Sequence, residues 1–401
     1  MNPNRRALKL AIAGTLSSCG LFSLLSFSTI AHAALEDTIA SMPVDIPFHL
    51  EGGHIYIDLE IDGQGPFHFI FDSGAPNVLT PAAARRLNLS VRANVNAKGT
   101  GGSQDGGSTR VNAVRLGNLT LENQTFYVLD LPASASETAQ VDGLIGFEWL
   151  ERFPVRLDYV ASKLTFYPAR NADYAGRASP TTLYFRGKTP QIDGTVDGIA
   201  GRFSLDTGSN GSLTLYAPFV ESHGLAARYN AKTKVMSAVG IGGPVYALLA
   251  RADQLGLGRV SVQRPVTFLS QQTAGTSIRR DTAGNIGFGV LRQFDIVFDY
   301  PHARIYFEPN AYWGEPDLAD RSGLRVESDS GALRVAFVAE NSPGMVVGLK
   351  TGDRIVAVNG VPSEKVGLYE LRAQLKGPIG TRISIKLDHK DAVVILELRD
   401  L

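Results

Sequence analysis

The sequence predicts a mainly β protein: two similar barrel-like lobes, about 47–172 and 180–312, followed by a small α/β domain over about 320–401. Three observations carry this. An acid–hydroxyl–glycine turn closes an apolar strand twice, a long internal repeat contains both copies, and the residue pattern changes after 320. At 401 residues the chain is too long for one ordinary core. Its 44% hydrophobic and 19% charged residues describe a packed globular protein rather than a disordered one. Lys plus Arg equals Asp plus Glu at 39 each, so no net field draws it to nucleic acid or to an anionic membrane surface.

Residues 1–33 read as an export signal. Arg5, Arg6 and Lys9 open it, an uncharged and largely apolar run follows from Leu10 to Ile30, and "AHA" at 31–33 offers a cleavage site. Export to a bacterial periplasm follows, with the mature chain starting at Ala34. Two alternatives are an uncleaved membrane anchor and a lipid on Cys19 within "LSSC". Cleavage after Ala33 removes the sole cysteine, which excludes disulfides and a thiol nucleophile from the mature chain.

The repeat organises the rest. "FIFDSGAPNVLT" at 69–80 matches "FSLDTGSNGSLTL" at 203–215, with Asp72 over Asp206 at an offset of 134. "GTGG" (Gly99, Thr100, Gly101, Gly102) matches "GIGG" (Gly240, Ile241, Gly242, Gly243) at 141, and Gly117/Gly258, Gly146/Gly287 and Asp158/Asp299 keep that offset. One register shift accounts for every match, so the halves share a fold. Alternating stretches such as "HIYIDLEIDG", punctuated by Gly, Asn and Pro, make each half β-rich.

Matched acids at matched strand ends suit a shared-proton dyad. Two carboxylates about 3 Å apart cannot both ionise, so one serves as base toward a water and the other as acid toward a carbonyl oxygen. Asp72 and Asp206 are the candidate catalytic residues. Ser73 and Thr207 supply hydroxyls to fix the carboxylates, and Gly74 and Gly208 let the two turns approach. Ser209 stands where the first lobe has Ala75, and its hydroxyl is expected to bond Asp206 and favour its ionised form, leaving Asp72 protonated.

These motifs, "DSGA" and "DTGS" with the triplets "LIG" at 144–146 and "NIG" at 285–287, resemble the pepsin and retropepsin group of aspartic proteases over about 47–312. The resemblance implies a bilobal aspartic-protease fold fused in one chain, with β-hairpin flaps tipped by Gly99–Gly102 and Gly240–Gly243 closing over a peptide. Polar Asn285 departs from the apolar triplet. The segment "SPGMVVGLKTGDRIVAVNG" at 342–360 resembles bacterial PDZ domains. That implies strand addition of a peptide at the edge "GLRVES", with Gly323, Leu324 and Val326 in the binding groove, although a clear G-L-G-F loop is missing.

Other chemistries have little to rest on. The six histidines beyond the leader are scattered with no H-E-x-x-H pair, which argues against a metal site, and there is no G-x-S-x-G elbow. The Gly clusters lack dinucleotide spacing, and Asp158 and Asp299 read as turn or strand-edge residues. The sequence therefore points to an exported aspartic endopeptidase with no cofactor and no nucleic-acid partner. Its substrate would be a protein or peptide, and its PDZ domain would recruit or regulate. The competing reading is an inactive scaffold acting as a PDZ adaptor.

Overall fold

A computed structural model of the chain describes residues 42–131, 141–168, 176–329 and 332–401. The expected export signal with its cleavage site, and Cys19, lie outside the described residues.

The described residues fold into four sheets with short helices between them. In the first lobe an eight-stranded sheet runs from His49–Glu51 through His54–Ile61 and Gln64–Asp72 to Arg92–Lys98. His54–Ile61 also pairs with Ser103–Leu116, which curls the sheet back on itself like a barrel. The strand Gln64–Asp72 buries Phe67, Phe69, Ile70 and Phe71, each large side chain contributing roughly 1.5–3 kcal/mol. That anchorage fixes the acid at its end.

The repeat is reproduced in topology. Gly143–Gly146 runs parallel to Gln64–Asp72 and antiparallel to Val78–Leu79, which in turn is parallel to Leu119–Val128. In the ten-stranded sheet of the second lobe, Gly284–Ile286 runs parallel to Ile199–Leu205 and antiparallel to Leu213–Leu215, itself parallel to Val266–Ser270. A third, six-stranded sheet joins the lobes: Val155–Asp158 pairs antiparallel with Phe294–Asp299 at its centre. Its outer strand Val44–Pro47 begins just ahead of the boundary expected at 47.

Beyond 320, a sheet ordered Leu324–Asp329, Ala332–Val338, Arg354–Val358, Arg382–Leu387, Val394–Glu397 packs on the helix Leu368–Gln374. Leu368, Leu371 and Leu375, at helical spacing, join Val326, Val335, Ile355 and Ile385 in its core. Leu324–Asp329 forms one edge of the sheet and Val394–Glu397 the other. Among the described residues no helix is long and apolar enough to cross a membrane.

Candidate active site

Each acid stands where its strand runs out of apolar residues, and the following hydroxyls clasp the two lobes together. The Ser73 N–H donates to Thr207 Oγ1 (2.9 Å) and the Thr207 N–H donates to Ser73 Oγ (3.1 Å). In turn Ser73 Oγ donates to the Leu205 carbonyl (3.1 Å) and Thr207 Oγ1 to the Phe71 carbonyl (2.8 Å). Both residues are fully buried, so these four bonds satisfy polar groups that water cannot reach. Beneath them the Tyr300 hydroxyl donates to the Ser73 carbonyl at 3.0 Å.

The clasp brings the carboxyl groups of Asp72 and Asp206 into hydrogen-bond contact. A Cβ on Gly208 would overlap the Asp72 carboxylate, so only glycine leaves room for the neighbouring acid. The Gly74 N–H donates to Asp72 Oδ1 at 2.8 Å.

The two acids differ electrostatically. Burial and then the charge of Asp206 push Asp72 well above the usual carboxylate range. Burial also raises Asp206, but Asn285 and the main-chain N–H groups of Gly208 and Ser209 oppose it by stabilising the anion. The Asn285 side chain donates from Nδ2 to Asp206 Oδ2 at 3.0 Å. Asp72 is thus raised well above the carboxylate range while donors hold Asp206 lower, and the side chain that donates is Asn285, not the Ser209 hydroxyl expected. Ser209 contributes its main-chain N–H, and its hydroxyl lies beside Gly287 instead. Asn285 sits on a strand flanked on both sides, opposite Ser204 and Thr214, which aims its amide at the acid at the end of the neighbouring strand.

The glycine clusters are hairpin tips. The first hairpin, Arg92–Lys98 with Ser103–Leu116, turns at Gly99–Gly102; the second, Lys234–Gly240 with Gly243–Arg251, turns at its own Gly-rich segment. The tips meet: the Gly101 N–H donates to the Ile241 carbonyl at 3.1 Å, and a Cβ on Gly242 would overlap Gly102. Gly240 lies against Thr100, and a third segment adds a bond from the Thr276 N–H to the Gly99 carbonyl at 2.9 Å.

At the other proposed site, the protein's own side chains engage the backbone N–H groups leading into the edge strand and the Val326 carbonyl within it. Asp320 Oδ1 accepts from the N–H groups of Ser322 (2.9 Å) and Gly323 (2.8 Å), the Leu324 N–H donates to Ser322 Oγ (3.0 Å), and Arg372 donates to the Val326 carbonyl (2.7 Å). Asp158 and Asp299 serve turns: Asp158 accepts from the Ala161 N–H at 2.8 Å, and Asp299 contacts His302 Nδ1 at 2.7 Å. Among the described residues there is no group of three or more His, Cys, Asp or Glu able to hold a metal.

Sequence reasoning missed Asn285 and Tyr300. The signal was present for Asn285: the repeat sets it over Leu144, and a polar residue at a strand position that packing buries needs a partner. Residues 57–149 match the aspartyl protease family, and residues 334–388 match the PDZ domain family. No curated protein matches the chain.

Proposed function

We propose that the protein is an exported, two-lobed aspartic endopeptidase of pepsin or retropepsin type, with Asp72 and Asp206 as its catalytic pair. The observation that carries this reading is the reciprocal Ser73–Thr207 clasp, which joins two equivalent acids at one point. A family match over the first lobe, with the same strand topology in the second, supports extending the assignment to both halves.

In this mechanism a water bound between the carboxyl groups loses a proton to Asp206, the acid that Asn285 keeps ionised. Asp72, protonated, donates to the peptide carbonyl oxygen as the tetrahedral intermediate forms. The pair titrates as a unit, and activity requires that it hold one proton. An extended chain would lie between the dyad and the hairpins, held by backbone hydrogen bonds, which favours a polypeptide over a small molecule. The C-terminal domain would bind peptides and so recruit substrate or control access.

The test is cleavage of a diverse peptide library from acid to neutral pH by the mature chain and by its Asp72→Asn and Asp206→Asn variants. Cleavage by the parent and a loss of roughly 10²–10⁴-fold or more in each variant is the expected result. A folded parent that cleaves nothing at any pH overturns the reading. Export is checked by mass spectrometry of the N-terminus, expected at Ala34.

A further inference from the structure

The PDZ edge presents the features that a peptide end would need, and the protein's own side chains occupy them. A terminal carboxylate would be captured by N–H groups at the start of Leu324–Asp329. Here the Asp320 carboxylate takes the N–H groups of Ser322 and Gly323, just ahead of that strand, and Ser322 Oγ takes that of Leu324. An incoming strand would pair with the free edge. There the Val326 carbonyl accepts from Arg372, which reaches across from the helix Leu368–Gln374.

The same helix receives a turn from the first lobe. A Cβ on Gly52 would overlap the Tyr369 ring, so the turn between His49–Glu51 and His54–Ile61 packs directly on that side chain. His54, at the far side of the turn, is buried. Its imidazole is held down to about 4, chiefly by desolvation and further by the charges of Arg372 and Arg325. The middle residue, Gly53, faces the other way: a Cβ there would come within 3.0 Å of Asn210 and of Phe288, which follow the Asp206 turn and the Asn285 strand. The turn is thus a spacer between the PDZ helix and the loop that carries Asp206.

Resting on the peptide-binding reading of this domain, we propose that the protein holds its own groove shut with Asp320, Arg372 and the Gly52 turn. Opening it loosens the Asp206 loop. The peptide must displace the Asp320 carboxylate from the amides and swing Arg372 off Val326, and that movement withdraws the helix face on which the Gly52 turn rests. Coupling runs both ways: a ligand that tightens the Asp206 loop weakens peptide binding by the same factor.

The experiment uses the full mature chain and a display pool of random peptides with free C-termini. Arg372→Met and Asp320→Ala are each expected to retain peptides about tenfold better than the parent, with amidated copies of the retained peptides failing to compete. Hydrogen exchange is then read over 204–215, where bound peptide is expected to speed exchange. Equal retention by parent and both variants, with both folded by thermal unfolding, overturns self-closure. No retention by any of them overturns the binding site, and retention without faster exchange overturns the coupling. None of these readouts requires cleavage, so they stand apart from the peptidase reading.

Discussion

The two lobes share a topology and a hydroxyl clasp, yet they treat their acids differently. Next to the strand of Asp72 the repeat places Leu144, a side chain with nothing to donate; next to that of Asp206 it places Asn285, whose amide bonds the carboxylate. The tyrosines that follow Asp158 and Asp299 diverge as well. Tyr300 bonds to the Ser73 carbonyl, whereas the buried Tyr159 hydroxyl has no hydrogen-bond partner among the described residues. Symmetry therefore governs what holds the lobes together, and asymmetry governs which donors each acid receives. A duplicated dyad needs both: matched strands to bring the acids into contact, and one unmatched donor to separate their affinities for the proton.

The comparison breaks hardest if the acids are unequal in necessity. Both Asp→Asn variants are expected to lose cleavage to the same degree, because in the proposed mechanism each acid supplies half of one proton relay; an active Asp72→Asn would remove Asp72 from the proposed dyad. Next in size is the clasp. Ser73→Ala and Thr207→Val each leave buried backbone groups without partners and should each cost about 1–3 kcal/mol in denaturant unfolding. Since both remove parts of one network, the double variant should lose less than the sum.

Asn285→Leu gives the second lobe the first lobe's residue and is the sharpest test of asymmetry. Removing a donor to the anion raises the pKa of the first ionisation. The acid limb of the pH–kcat/KM profile should then move to higher pH by about one unit, with the unfolding midpoint as a control for packing. A limb that stays in place assigns Asn285 to structure alone. Smallest of all is Ser209→Ala, expected to leave the acid limb where it is, because that residue acts on Asp206 through its main-chain N–H.

Much of this was legible in the sequence because it rests on local pattern. The apolar runs ending at Asp72 and Asp206, the constant repeat offset and the Leu368/Leu371/Leu375 spacing each reflect a strand or helix burying one face. The bond from Asn285 was not legible, since it depends on which strand lies beside Asp206 in space; the residue looked like an irregularity until the parallel pairing with Ile199–Leu205 gave it a target. The sequence reading chose Ser209 by proximity along the chain, but the tight turn after Asp206 points that hydroxyl elsewhere. The closure of the PDZ groove was hidden for a similar reason. Asp320 and Arg372 are ordinary surface residue types, and only the folded edge strand sets them on Gly323 and Val326.

The six-stranded sheet between the lobes has a mechanical consequence. Because Val155–Asp158 and Phe294–Asp299 pair as adjacent strands of one ladder, the two halves cannot swing apart like jaws without tearing hydrogen bonds from a buried sheet. Compliance is left to the periphery, in the two hairpins whose tips touch through Gly101 and Ile241. Strain applied to this molecule would be borne by its floor and relieved at its roof.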